Sequence, residues 1–398
     1  MRGPGPFRTC LYQVPAQHLS GGLAAFGLDA DGDHRRGNMN KEASLPDLYA
    51  PWLLAVAGGP IPAETKATCD SCAMLPSPGS PANSLYFHPA TKCCAFQPHI
   101  PNFLAGRLLN ESDPSMAAGR TELEARIGRR IGITPRWAGP GSVFNLLYKS
   151  TPGVFGRAPA LRCQFLTPTG GCGVWKHRPA VCATWFCKYL RGQTGARFWK
   201  LADKLLQSVE QELAIWCLGE LGSAFEEVLD PSSQPPDVSE LGGEIDWPRY
   251  HRLWGSWVGR EVEFYRACAY LVEPLTWAQV EQNCGPRVRI LAALVRDAYA
   301  SLGSQAIPER LQIGQFSFTC AEGSGFRIVS YNHFDPLIMP ERLARVLHRF
   351  DGRPTDEILE TILVKDGVRI DPGLVRRMVD FGILKGCDSV DSALPVLQ

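Results

Sequence analysis

The sequence predicts a mainly α-helical protein of α+β class, with irregular cysteine-rich loops and one β-hairpin. Three observations carry that expectation. Apolar residues recur at helical spacing at Phe198, Leu201, Leu205, Val209, Leu213 and Trp216, and again at Leu343, Val346, Leu347, Phe350, Ile358, Ile362, Val375, Met378 and Phe381. The run LQIGQFSFTC, then EGSG, then FRIVSYN, alternates apolar and polar residues around a Gly-rich turn, which is a hairpin pattern. Between them and the N-terminus lies a cysteine-rich stretch with neither period. At 398 residues, 45% hydrophobic and 20% charged, the chain has room for two or three folded units.

The elements follow in order. Residues 1–44 are polar and Gly-rich and predict a disordered tail, with Met39 a candidate start of the folded protein. A cysteine domain is expected over 45–195 and a helical domain over 196–305. The latter opens with the amphipathic helix FWKLADKLLQSVEQELAIWCL and is interrupted by a loop at Pro231 to Pro236. Trp247, Trp254 and Trp257 lead into a helix ending near Val272 and are read as core; Glu261 and Glu263 are read as a solvated face. Helices at 276–283 and 286–302 are separated by Gly285-Pro286. Over 306–387 the hairpin is followed by three short helices with turns at Asp351-Gly352 and Asp366-Gly367. Asp371 serves as an N-cap before Pro372. The segment from about His333 to Gly386 is expected to be a compact helical unit, metal-free and separable, and 388–398 to be a tail.

The chemistry concentrates in CQFLTPTGGCGVWKHRPAVCATWFC, which places Cys163, Cys172, Cys182 and Cys187 at C-x8-C-x9-C-x4-C. Upstream lie Cys69-x2-Cys72 and the vicinal pair Cys93-Cys94. Thiolates converge on a metal only where tight turns bring separated loops together. Gly170, Gly171 and Gly173 supply such a turn, and Pro179 suits the start of a helix holding Cys182 in its first turn. Disulfides are the rival reading and need an oxidising compartment. Residues 1–38 lack an apolar run of signal length, and Trp52 to Ala57 is preceded by Glu42 and Asp47, so cytoplasmic thiols are expected. Cys10, Cys217, Cys268, Cys284, Cys320 and Cys387 lack mutual ligand spacing and are read as core or surface thiols.

CDSC at 69–72, CC at 93–94, CQFL, GGCGVW, HRPAVC and the closing FC together resemble the YkgJ-type cysteine-cluster family, described as zinc- or iron-chelating. The resemblance covers residues 69–191. It departs from the family in the 20 residues between Cys72 and Cys93 and in an insertion from about 105 to 160. It implies metal binding by all eight cysteines, with iron-sulfur as a serious candidate; relatives include a flagellin lysine methylase. The segment MPERLARVLHRFDGRPTDEILETILVKDGVRIDPGLVRRMVDFGILKG, residues 339–386, also resembles, loosely, the winged-helix peptide-binding module of the pyrroloquinoline-quinone pathway. That likeness implies a winged-helix-like unit and a peptide or protein partner.

Adjacent cysteines point in different directions and seldom serve one ion, so eight thiols suggest two sites, or one four-cysteine cluster with neighbours left over. A four-iron, four-sulfur (4Fe-4S) cluster tolerates irregular loop spacing and is favoured over zinc. Trp175, Trp185, Phe186 and Tyr189 provide either a dry shell or a small core. His177 and His88 rank lower as ligands, and Arg178 is read as capping a loop through carbonyl groups. A net charge of +1 argues against nucleic acid, and the lack of a long apolar run argues against a membrane span. No nucleotide fingerprint, HExxH or phosphate loop is present, and no catalytic residue is assigned. Two function classes follow: a redox or peptide- or protein-modifying enzyme built on an iron-sulfur cluster, or a zinc-stabilised accessory or peptide-binding protein without catalysis.

Overall fold

A computed structural model describes residues 45–66, 68–69, 72–76, 86–151, 153–222, 244–320 and 325–387. The expected tails at 1–44 and 388–398, the start at Met39, Cys10, the Pro231–Pro236 loop and the tip of the hairpin lie outside the described residues, as does the Cys320 side chain. The chain is of α+β class, about 53% helical with 10% strand in small antiparallel sheets. Among the described residues no helix is long and apolar enough to cross a membrane.

Helix α1 (Tyr49–Ala57) buries Tyr49, Trp52, Leu53 and Val56 and stops at Gly58, whose φ of 74° lies in the left-handed region. Strands β1 (Ile100–Pro101) and β2 (Trp137–Ala138) pair antiparallel and flank α2 (Asn102–Asn110) and α3 (Ala117–Arg129). Then come α4 (Ser142–Ser150), the short α5 (Ala180–Ala183) and the 29-residue α6 (Gly192–Glu220). The region closes with α7 (Trp247–Trp254), α8 (Glu261–Val272), α9 (Trp277–Asn283) and α10 (Pro286–Gly303). Side-chain caps start two of these helices: Asp246 accepts from Arg249 N–H at the head of α7, and Thr276 with Gln279 forms a capping box on α9.

The apolar stripe of α6 lies at the centre of one core that includes Trp52, Phe103, Phe198, Leu205, Leu213, Phe264, Tyr265 and Val295. Burying each such side chain contributes about 1.5–3 kcal/mol. Helix α2 crosses α8 so closely that a Cβ on Gly106 would lie 1.8 Å from the Tyr265 carbonyl oxygen. Of the three tryptophans read as core, Trp254 is buried and Trp247 is largely exposed. Glu261 is not on a solvated face. It is buried, accepting from Tyr250 Oη at 2.7 Å and Gly259 N–H at 2.8 Å, while Glu263 pairs with Arg260 at the surface. Helical spacing alone does not separate the two faces of α8, because the partner groups come from α7 and from the turn before α8.

The C-terminal unit has its own core, built on Leu311, Ile328, Phe350, Ile358, Ile362, Val375, Met378 and Ile383. Its strands are β3 (Arg310–Ile313), β4 (Ser317–Cys320), β5 (Gly325–Val329) and β6 (Leu337–Pro340), followed by α11 (Glu341–Val346), β7 (Asp351–Pro354), α12 (Thr355–Asp366), α13 (Pro372–Asp380) and β8 (Leu384–Gly386). The three expected helices are present. The hairpin is shorter than expected: β4 pairs with β5, but Leu311 to Ile313 belong to a second sheet of order β7-β3-β8. The break falls at Gly314, where a Cβ would lie 2.0 Å from the Gly382 carbonyl oxygen. Asp351-Gly352 opens a strand rather than a turn. Gly352, at φ 96°, sits where the β3–β7 register slips, so the glycine serves a bulge.

This unit is joined to the cysteine region by specific contacts. Arg191 donates to both Asp380 carboxylate oxygens, at 2.5 and 2.9 Å, and Arg376 also bonds Asp380. Asn332 Nδ2 donates to the Cys187 carbonyl at 3.0 Å, and Tyr189 N–H donates to Asp335 at 3.3 Å. Tyr331 packs against both cores.

Candidate metal centre

Backbone hydrogen bonds fold the cysteine loops into one another. Cys163 N–H donates to the Cys94 carbonyl at 2.7 Å, fastening the third cysteine segment to the vicinal pair. Thr167 N–H to Gly171 O at 2.9 Å and Gly173 N–H to Phe165 O at 2.8 Å close a tight loop that sets Cys172 beside the Cys163 segment. Gly170 turns that loop at φ 82°. Lys92 Nζ donates to Cys69 O at 2.7 Å and to Gly170 O at 3.1 Å, so one cation ties three loops. Helix α3 seats against the loop through Gly119, where a Cβ would lie 1.9 Å from Gly173 O.

The thiols fall into two groups of four. Cys94, Cys163, Cys172 and Cys182 lie within electrostatic reach of one another in every pairing. Cys69, Cys72 and Cys93 likewise act on one another, and Cys187 feels Cys72. The division passes between the vicinal residues. Cys94 packs against the main core with Cys163 and Cys172, whereas Cys93 joins Cys72 and Cys187 on a small cluster with Met74, Phe87, Phe155 and Phe334. The groups meet there, where the Cys93 thiol donates to the Cys94 sulfur, raising the first pKa and lowering the second, and again at Cys69, which acts on Cys94 and Cys172 as well as on Cys72. The eight cysteines are free thiols.

Burial is the largest cause acting on Cys69, Cys163, Cys172, Cys182 and Cys187. It pushes Cys163 up to about 12 and Cys172 up to about 11, opposed in each case by an N–H donated to the sulfur from two residues on, Phe165 and Val174. Cys182 is raised well above its ordinary value by burial, then by Cys163, Cys172 and Cys94. Cys187 is pushed up to about 12, again by burial first and by Cys72 second. Neutral thiols crowded this way gain from exchange of their protons for a cationic metal core.

Arg178 supplies the cation among them. Its guanidinium lies 3.3 Å from the Trp175 ring centroid, donates to Trp175 O at 3.0 Å and to Cys182 O at 3.5 Å, and draws down the pKa values of Cys69, Cys94, Cys172 and Cys182. The expected carbonyl capping is there, with a charge in the thiol site as well. His177 turns to Glu111, Nε2 to Oε2 at 3.1 Å, and its buried Nδ1 has no hydrogen-bond partner in the described structure. His88 is exposed and accepts from Ala90 N–H in a turn.

Sequence reasoning missed Glu210. Its carboxylate, buried inside the apolar stripe of α6, accepts from Ala180 N–H at 2.6 Å and from Tyr49 Oη, holding the first turn of α5. The available signal was a charge one residue after Val209, on the apolar stripe itself. Among the described residues no three His, Cys, Asp or Glu side chains are arranged to close on a single ion, and Cys69 and Cys72 flank two positions outside the described set. No family model matches the chain, and no curated protein or solved structure is significantly similar to it. The resemblance to the YkgJ-type family therefore rests on the motif residues alone.

Proposed function

We propose that the chain is a metal-binding cysteine-cluster protein in which Cys94, Cys163, Cys172 and Cys182 hold a 4Fe-4S cluster, with Cys69, Cys72, Cys93 and Cys187 as a second four-thiol site. The observation that carries this reading is the complete set of pairings among the first four thiols, contributed by three separate chain segments. Their donor chemistry fits. Sulfur ligands favour zinc and iron-sulfur groups, and N–H donors to sulfur, as at Cys163 and Cys172, stabilise the thiolate form that a metal requires. When bound, the cluster would supply one-electron chemistry. The protein's own residues hold the loops, exclude water with Trp175 and Phe165, and place the Arg178 charge against the excess negative charge of four thiolates.

Around this centre we read a redox or peptide- or protein-modifying role, with the unit from 306 to 387 as a winged-helix-like module that presents a peptide. Three short helices and two three-stranded sheets support that module, and its docking through Asn332 and Asp335 brings it to the Cys187 loop. Anaerobic purification with iron, sulfide and zinc analysis tests the reading. A brown protein with about four irons and four sulfides per first site is expected. Colourless protein with stoichiometric zinc and no sulfide would replace it with the accessory protein stapled by metal.

A further inference from the structure

Beside the cysteine loops a cleft of about 450 Å³ opens between the segment after Cys182, helix α6 and residues 329–334. That volume lies in the range of small-molecule and side-chain sites, about 300–1,000 Å³. Six aromatic rings line it, Trp185, Phe186, Tyr189, Trp199, Tyr331 and Phe334, together with polar groups that include Thr184, Asn332 and His333. The rings form two groups: Trp199, Phe186, Tyr189 and Tyr331 in series, with centroids 4.8 Å apart for Phe186–Trp199, 6.0 Å for Phe186–Tyr189 and 6.2 Å for Tyr189–Tyr331, and the pair Trp185–Phe334 at 6.3 Å.

One carboxylate lines the same space. Asp203 accepts from Thr184 Oγ1 at 3.0 Å and from Gln207 Nε2 at 2.7 Å, both neutral donors, and it forms no salt bridge among the described residues. Burial raises its pKa, and the one cation that acts against this is Lys204, on the same helix. Lys200 also lines the cleft but is exposed and unpaired with Asp203. A half-buried carboxylate without a counter-ion, set in a wall of ring faces, is the arrangement that attracts an organic cation.

We propose that this cleft binds an organic ammonium group, with Asp203 as counter-charge and the aromatic rings receiving the methyl or methylene groups next to nitrogen. An ammonium, unlike a metal ion, keeps apolar carbon around its charge, and so uses both features together. A free amine and the side-chain amine of a peptide share this chemistry. Binding needs no metal, so the inference does not depend on which group the cysteines hold.

The test is tryptophan fluorescence titration of the purified full chain with choline and with its neutral carbon isostere, where a quaternary carbon replaces nitrogen. Choline is expected to saturate the signal and the isostere to bind at least about tenfold more weakly. Asp203→Asn should weaken choline by about tenfold with an unchanged melting temperature, since the amide oxygen still accepts from Thr184. The partly exposed Trp185→Leu should weaken it similarly without unfolding. A parallel titration with N-acetyl-lysine amide separates the sources: tighter binding than choline assigns the cleft to a peptide side chain, weaker binding to a free amine. Equal affinity for choline and the isostere, undiminished affinity in Asp203→Asn, or no saturation by either cation would overturn the proposal.

Discussion

Glu210, from the middle of α6, accepts a hydrogen bond from Ala180 N–H at 2.6 Å, so the longest helix among the described residues grips the first turn of the helix that carries Cys182. Burial pushes this carboxyl up to about 8, against the hydrogen bonds from Tyr49 and Ala180, while its ordinary value is 4.5. The folded chain therefore holds a proton that the unfolded chain releases. Its contribution to stability is full below pH 4.5 and is lost as pH rises through about 8. Melting temperature is expected to fall from pH 5 to pH 8 in the parent protein and to stay flatter in Glu210→Gln, which is neutral throughout and still accepts from Ala180. An identical pH dependence in the two proteins would remove Glu210 from the account.

The cysteines are expected to differ sharply in consequence. Cys182→Ser removes one thiolate from a site whose binding energy is also folding energy, so metal content and melting temperature should fall together. Cys284 is buried but belongs to neither thiol group, and Cys284→Ser should leave metal content unchanged. Matching losses in both variants, measured by metal analysis and thermal melts, would count against the assignment.

Gly119→Ala tests the packing behind the site. The new methyl would meet Gly173 O at 1.9 Å and must push the Cys172 loop or α3 away, at a cost of about 1–3 kcal/mol. Gly128, on the same helix, has nothing within 4 Å of its would-be Cβ. Gly128→Ala should therefore be neutral or stabilising by up to about 1 kcal/mol. Paired denaturant melts with metal analysis decide the point.

Arg191→Ala should loosen the junction to the C-terminal unit. It removes a two-point ion pair with Asp380 and the donations to Leu302 O and Ser304 O, at 2.7 and 2.9 Å. Because Arg191 is partly exposed and Arg376 still holds Asp380, the loss is about 1–3 kcal/mol. Limited proteolysis should cut faster between α10 and β3. Unchanged cutting would mean that the two cores hold together through Tyr331 and Phe381 instead.

The sequence made the helices legible because each carries a long apolar stripe with capping residues, as at Thr276, Pro286 and Asp371. It made the eight cysteines legible through spacing. It did not show where they divide, because side chains of adjacent residues such as Cys93 and Cys94 take their directions from the loops that pack on them, Phe87 on one side and the Cys163 segment on the other. Strands β6, β7 and β8 escaped because runs of three or four residues carry too little alternation to be read, and Asp351-Gly352 has the same composition in a bulge as in a turn. The buried charges Glu210 and Glu261 were assignable only once their partners from other segments were in place.

The central claim is that four thiols from three segments share one inorganic centre, and anomalous scattering at the iron edge, from crystals grown anaerobically, tests it most directly. The predicted result is a dense iron peak bounded by the sulfurs of Cys94, Cys163, Cys172 and Cys182, with Arg178 beside it. A peak bounded by a different set of residues, or zinc signal in its place, would contradict it.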